Sequence, residues 1–182
     1  MANWMDFEVL CSRGDLDGVI AAVGRGVDIN CDNFTRHTGL MSAVCRGQNM
    51  VVEWLLQQPA IEVNRQCQWG STAVFLAVAC NEPALLSLLL AHPTADPTIR
   101  DNQGKSPLEL SRWGTGRQGE ICSDLYRDEG FAECERMLLE DERRRQGGGQ
   151  GGGRAAGVGI KAIVKYLHFC TIKNPSHGKA IP

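Results

Sequence analysis

The sequence predicts an all-α solenoid, in which short helix–turn–helix units stack side by side. Two observations predict it: residues 4–111 repeat at intervals of 33 or 34 positions, and apolar residues within each interval recur at helical spacing. The period is clearest in two sets of residues that stand 34 apart, Thr38, Thr72 and Ser106, then Leu40, Val74 and Leu108. A unit of this size cannot bury its own apolar face, so neighbouring units must share one core.

Four units are predicted, at about residues 4–30, 31–64, 65–98 and 99–145. The third unit is the clearest. Thr72 is placed to cap its first helix by accepting a backbone N–H of the first turn. Pro83 suits the start of its second helix. Four leucines of that helix form an apolar stripe, at Leu85, Leu86, Leu89 and Leu90.

The other units vary this pattern. The first helix of the second unit starts at Thr38, whereas the first unit lacks the Thr-Pro-Leu start altogether. The fourth unit opens with the run from Asp101 to Leu108, but it carries about 15 additional residues, near 114–128, between its two predicted helices. Its second helix fits either around Cys134 and Leu138, with Phe131 on the same face, or at residues 120–126.

These units resemble the ankyrin repeat, which has a hairpin turn, two antiparallel helices, a T-P-L-H-x-A start and a G-A-D-V-N end. The resemblance covers about residues 4–145. It implies an L-shaped helical stack whose hairpin tips project to one side, with a concave face beside them. Two positions depart from the pattern, since Arg36 occupies a turn glycine position and Cys67 a turn aspartate position. We expect those two hairpins to be distorted or loose.

The net charge of −2 conceals an asymmetry along the chain. Residues 1–142 have a charge balance of −10, whereas residues 143–182 carry eight basic side chains and no acidic one. A glycine-rich stretch at 147–153 has the composition of a flexible linker. The basic tail at 154–182 includes a short amphipathic pattern at 160–170. The tail allows three interpretations: disorder, attraction to nucleic acid or an anionic membrane, and folding back over the acidic repeats.

No catalytic constellation is found in the sequence. The four histidines have no cysteine, serine or carboxylate at a recognised catalytic spacing, so we expect surface residues. The eight cysteines form no C-x-x-C pair, which predicts thiols in small buried or half-buried sites. We therefore expect no catalytic residue, metal or cofactor. No signal peptide or membrane span is recognised, which favours the cytoplasm, the nucleus or both.

The hairpin tips are the predicted partner-binding residues. An exposed tryptophan near an arginine is typical of interface hot spots, although Trp69 could instead fold onto the neighbouring hairpin and cover its edge. Asn64 lies in a motif at which family members are hydroxylated, and the alternative is that it only bridges the hairpin base. The predicted binding set is Phe34, Thr35, Arg36, Arg46, Gln68, Trp69, Asn102 and Gln103.

The sequence therefore predicts a monomeric, non-catalytic protein–protein interaction module or adaptor, with no small-molecule substrate. The alternative function is charge-driven binding of nucleic acid or a membrane surface through residues 143–182.

Overall fold

The computed structural model describes residues 4–114 and 129–146 of the 182-residue chain. Within those residues the regular structure is helical, and an isolated bridge between Asp32 and Thr38 is the only strand-like pairing. The predicted all-α class is therefore confirmed. The helices described are α1 (Trp4–Arg13), α2 (Leu16–Gly24), α3 (Gly39–Cys45), α4 (Asn49–Leu56), α5 (Ala73–Ala79), α6 (Pro83–Ala91), α7 (Pro107–Gly114) and α8 (Glu129–Gln146).

Consecutive helices form four pairs, and the pairs stack in two layers. Helices α1, α3, α5 and α7 contact one another in order and form the inner layer, and α2, α4, α6 and α8 form the outer layer. The inner helices α3 and α5 have neighbours on both sides, so residues 39–44 and 73–78 are buried throughout. The outer helix α6 buries a stripe of Leu85, Leu86 and Leu89, while Leu90 is half-buried. The repeating apolar pattern thus includes fully buried inner helices and outer helices that bury one face.

Hydroxyl side chains begin the inner helices at the 34-residue period. The Thr72 hydroxyl accepts a hydrogen bond from the N–H of Phe75 at 3.2 Å, which confirms the predicted cap, and Thr38 caps α3 in the same way. In the fourth unit the Ser106 hydroxyl accepts from the N–H of Glu109 at 3.2 Å. The Glu109 carboxylate accepts in return from the N–H of Ser106 at 2.8 Å. This reciprocal pair is a capping box, which satisfies two N–H groups of the first turn.

A residue with positive φ ends the first helix of each of the first three pairs. These residues are Gly14 at φ 75°, Gly47 at φ 67° and Asn81 at φ 57°. Asparagine tolerates this left-handed region better than most residues, so the turn survives the change from glycine. The side chain of Gln48 reaches from the second pair to the first and donates to the carbonyl of Ser12 at 3.2 Å.

Helix α8 completes the outer layer and packs against α6 and α7. It buries Cys134 and Leu138, while Phe131 is half-buried. Its first turn lies against the preceding pair, since a Cβ atom on Gly130 would come within 2.4 Å of the Asn81 side chain. The alternative second helix at 120–126, and the predicted insertion apart from residue 114, lie outside the described residues.

No helix in the described part of the chain is long and apolar enough to cross a membrane. The predicted linker at 147–153, the tail at 154–182 and its amphipathic segment at 160–170 also fall outside what the structure describes.

Candidate functional site

Three hairpins precede the inner helices α3, α5 and α7, and each is closed by an equivalent backbone hydrogen bond. The three bonds join the N–H of Asn33 to the carbonyl of His37 at 3.0 Å, Cys67 to Ser71 at 3.0 Å, and Asp101 to Lys105 at 2.9 Å. The closing residues stand 34 positions apart, so the hairpins are successive copies of one turn. We call their tips, residues 34–36, 68–70 and 102–104, the hairpin ridge.

The expectation that the Arg36 hairpin is loose is wrong. Asn33 takes the place of the turn aspartate, and its side-chain oxygen accepts from the N–H groups of Thr35 at 2.9 Å and His37 at 3.0 Å. Asp101 accepts from two backbone N–H groups of its own hairpin in the same manner. Arg36 itself adopts the left-handed conformation, with φ 56°. An amide oxygen therefore holds this turn closed although the glycine is missing.

The Cys67 hairpin is also closed, which corrects the second expectation of a loose turn. The N–H of Gly70 donates to the carbonyl of Cys67 at 2.9 Å, and the Cys67 side chain is buried. The neighbouring amide of Gln66 donates to the carbonyls of Gly70 at 2.6 Å and Arg100 at 3.0 Å. Cysteine supplies packing at this position, and Gln66 supplies polar contacts that brace the loop.

Hydrogen bonds between hairpins join the three tips into one surface. The N–H of Gln68 donates to the carbonyl of Thr35 at 2.9 Å, and the N–H of Asn102 donates to the carbonyl of Trp69 at 3.0 Å. The side-chain amide of Asn102 also donates to the carbonyl of Gln68 at 2.8 Å. Each tip is thus fixed to the next through backbone atoms, and the side chains between those bonds are presented from a continuous ridge.

Seven of the eight predicted binding residues lie on this ridge. Phe34 is 86% exposed and Trp69 is 37% exposed, so the second keeps most of its surface in contact with protein. Thr35 is half-buried, whereas the other ridge residues of the set are exposed: Arg36, Gln68, Asn102 and Gln103. Arg46 lies apart, because it caps the far end of α3, about 10 Å along the helix from the hairpin.

One polar cluster beneath the ridge was missed by sequence reasoning. His37 is half-buried rather than a surface residue, and its Nδ1 atom lies 3.4 Å from the hydroxyl of Ser42. That hydroxyl donates to the Glu8 carboxylate at 3.1 Å. Burial lowers the pKa of His37, and the charge of Glu8 opposes that shift. Glu8 lies on α1 and Ser42 on α3, and these two helices stack side by side, so placing them next to each other would have suggested the contact.

The cluster does not have the arrangement of a nucleophilic triad. In such a triad a histidine stands between the nucleophile and the carboxylate, whereas here buried Ser42 stands between His37 and Glu8. Its contacts join the first two repeats. The arrangement therefore supports a structural role for the three side chains.

Asn64 bridges successive repeats through both ends of its amide. Its nitrogen donates to the carbonyl of Thr94 at 2.6 Å, and its oxygen accepts from the N–H of Asp96 at 2.9 Å. Asn30 makes the equivalent pair of bonds to the loop of the second repeat. A structural role therefore accounts for asparagine at this position, and hydroxylation of Asn64 stays a prediction.

The cysteines of the described residues are thiols, three of them buried and three half-buried. Burial is the main cause that raises the pKa of Cys11 to about 12 and that of Cys134 to about 11. Both thiols are therefore protonated at neutral pH and are weak nucleophiles. Cys122 and Cys170 lie outside the described residues. Across residues 4–114 and 129–146, no group of three His, Cys, Asp or Glu side chains is arranged to hold a metal.

A cleft of about 560 Å³ lies between the outer helices α6 and α8, away from the ridge. Arg136, which lines the cleft, contacts both Glu133 and, at 3.4 Å, Glu140. These ion pairs run along α8 between residues about one turn apart. The cleft is therefore a groove between two packed helices.

Comparison with known proteins agrees with this architecture. The sequence model for ankyrin repeats, in three copies, matches residues 7–115. The ankyrin repeat protein YahD of Escherichia coli (strain K12) is 32% identical over 111 residues, which are 58% of this chain and 55% of that protein. The ankyrin repeat protein FPV031 of fowlpox virus is 36% identical over 102 residues, 55% of this chain and 30% of that protein.

The mouse RelA-associated inhibitor is 28% identical over 130 residues, which are 71% of this chain and 14% of that protein. The chain thus spans about half, or less, of the length of these relatives. The likeness is therefore to a part of each of these proteins.

Proposed function

The chain belongs to the ankyrin-repeat family, and on that premise we propose that it is an adaptor that binds a partner protein through the hairpin ridge and the concave face beside it. Ankyrin repeats are generally protein–protein interaction modules, and the family is generally non-catalytic. The fold does not identify the partner, because recognition depends on surface residues that the repeat leaves free to vary.

The exposure of Phe34 is the observation that carries this proposal. A phenylalanine with 86% of its surface in solvent adds nothing to the core, whereas aromatic side chains are enriched in binding hot spots. Its tip is held by hydrogen bonds within the hairpin and to the next one. A rigid ridge loses little conformational entropy on binding, so more of the contact energy contributes to affinity.

Binding of nucleic acid or a membrane surface through residues 143–182 is the alternative. The eight basic side chains and the lack of acidic ones in that segment favour it. The two functions differ in which part of the chain they need, and also in their response to salt.

Affinity capture from a cell extract with three full-length baits tests the proposal. The baits are the wild type, a ridge variant and a tail variant with four charges removed. The ridge variant is Phe34→Ala/Trp69→Ala, and the tail variant is Lys161→Gln/Lys165→Gln/Lys173→Gln/Lys179→Gln. Circular dichroism and urea midpoints establish that all three are equally folded. We expect a partner that the wild type and the tail variant retain and the ridge variant loses.

The opposite pattern would refute binding through the ridge. If only the tail variant fails to capture proteins or nucleic acids that the wild type binds, and moderate salt releases them from the wild type, the charge-driven function is supported instead. A bait set that retains the same proteins in all three cases would refute both surfaces.

A further inference from the structure

Arg36 is held in a backbone conformation that disfavours residues with a side chain. Its φ is 56°, and the equivalent tip residues of the next two hairpins are glycines, Gly70 at φ 79° and Gly104 at φ 75°. A side chain costs steric energy in this region, whereas glycine does not. Strained residues of this kind cluster at binding and catalytic sites. The turn therefore favours glycine at position 36, but the residue there is a positively charged arginine.

Two aromatic residues are close to Arg36 along the backbone of the ridge. The hydrogen bond from the N–H of Gln68 to the carbonyl of Thr35 brings the two tips to 2.9 Å of each other. Phe34 and Arg36 flank one end of this bond, and Trp69 follows the other end. We call these three residues the aromatic–arginine patch; Phe34 and Arg36 are exposed, and Trp69 has 37% of its surface in solvent.

The carboxylates closest to the patch in sequence are already engaged. Asp32 and Glu62 both pair with Arg65, at 2.8 Å and 3.3 Å, and Asp28 accepts a hydrogen bond from the N–H of Asn30 at 2.9 Å. Among the residues that the structure describes, Arg36 forms no ion pair. The remaining tip residues of the hairpin ridge are uncharged, so the local charge of the patch is positive although residues 1–142 carry a balance of −10.

We propose that the aromatic–arginine patch binds an acidic linear segment of a partner protein, in which a carboxylate stands next to an aromatic or large aliphatic side chain. This inference rests on the proposed function and names the chemistry of the partner. The planar guanidinium of Arg36 donates two parallel hydrogen bonds to a carboxylate. Phe34 and Trp69 supply the apolar surface that covers the adjacent side chain.

A short segment fits this patch better than a nucleic acid does. A nucleic acid is bound through several phosphates at once, and the patch offers one cation on a domain of opposite overall charge. A segment with one or two carboxylates contacts the patch alone. At contact distance the positive charge of Arg36 affects it more than the distant negative charges of the domain do, because salt screens those.

The test begins with a phage-displayed library of random 12-residue peptides, selected against the full-length chain. We expect enrichment of peptides that place Asp or Glu within two positions of an aromatic or large aliphatic residue. Fluorescence anisotropy then measures the Kd of the most enriched peptide for the wild type and four variants. The variants are Arg36→Asn, Arg36→Lys, Phe34→Ala and, as a control on the exposed end of α2, Arg25→Asn.

Each variant has a distinct expected effect. Asparagine tolerates the left-handed turn, so Arg36→Asn removes the charge without opening the hairpin and weakens binding about tenfold or more. Arg36→Lys retains the charge but not the two parallel donors, and we expect a loss of about threefold. Phe34→Ala weakens binding, whereas Arg25→Asn leaves the Kd unchanged. Thermal unfolding of Arg36→Asn at or above the wild-type Tm shows that the fold is intact.

Four results would overturn the inference. Enriched peptides without acidic residues whose binding is still lost in Phe34→Ala would refute the acidic partner and leave the proposed function standing. A peptide Kd that is unchanged by both Arg36→Asn and Phe34→Ala would refute the patch as a peptide site, and so would a selection that enriches no peptide. If poly(U) RNA displaces the peptide and itself depends on Arg36, the ligand is a nucleic acid.

Discussion

Gly39 is a position at which one added carbon atom would disturb the stacking of the first two repeats. It is the first residue of α3 and is buried. A Cβ atom there would lie 2.7 Å from the Phe7 ring and 2.8 Å from the sulfur of Cys11. Both neighbours belong to α1 and are almost completely buried, so neither has open space to move into. We therefore expect Gly39→Ala to push α1 away from α3.

Two opposing effects set the magnitude. Alanine favours a helix over glycine by up to about 1 kcal/mol, and less at a helix start. Adding a methyl group to a filled core costs about 1–3 kcal/mol. The second effect is larger, so Gly39→Ala should lower the free energy of unfolding by about 1–2 kcal/mol. Gly24→Ala is the matched control, because a Cβ on this last residue of α2 meets nothing within 4 Å. It should raise stability by about 0.5–1 kcal/mol.

Urea denaturation followed by far-UV circular dichroism measures both variants against the wild type. The urea midpoint should move in opposite directions for the two substitutions, with unchanged slopes. Adding Phe7→Leu to Gly39→Ala should recover part of the loss, because the leucine has no ring atoms at the contact, and the cycle gives the coupling energy. A Gly39→Ala variant as stable as Gly24→Ala would show that α1 adjusts freely, which would refute close packing of α1 against Gly39.

Two further predictions concern polar side chains. Thr72→Ala removes the cap of α5 and should lower the free energy of unfolding by about 1 kcal/mol, whereas Thr72→Ser should restore most of it; urea midpoints measure both. Burial lowers the pKa of His37 from 6.5, so the unfolded chain takes up a proton first as the pH falls. Stability should therefore decrease as pH drops through about 6.5 towards the lowered pKa, and His37→Gln should flatten that dependence in urea midpoints measured across this range. An unchanged profile in His37→Gln would contradict the assignment.

Features that depend on residues close together along the chain could be predicted from the sequence. Thr72 lies immediately before the helix that it caps, and the leucine stripe of α6 is visible as a period, because both effects act within one or two turns of helix. The order of the helices follows from the 34-residue period, because each repeat carries the same signals for two successive helices. The exposure of Phe34 at a tip was also implied, since a tip has protein on one side only.

Features that depend on a contact with a partner residue could not be predicted in this way. Arg36 was expected to loosen its hairpin, yet the amide of Asn33 closes it. His37 was expected at the surface, yet Ser42 and Glu8 draw it into a cluster between repeats. In each case the partner is unremarkable in the sequence, and only three-dimensional proximity gives it a role.

By itself the sequence determined the fold and the general class of function, because a repeated pattern of caps, turns and apolar stripes has one economical way to bury its surface. The tertiary structure decided how the candidate binding residues are grouped. Hydrogen bonds between successive hairpins join Phe34, Arg36 and Trp69 on one ridge, and the length of α3 separates Arg46 from them. The physical reason is that the turn pattern is local, whereas the alignment of neighbouring tips depends on how closely the helices beneath them pack.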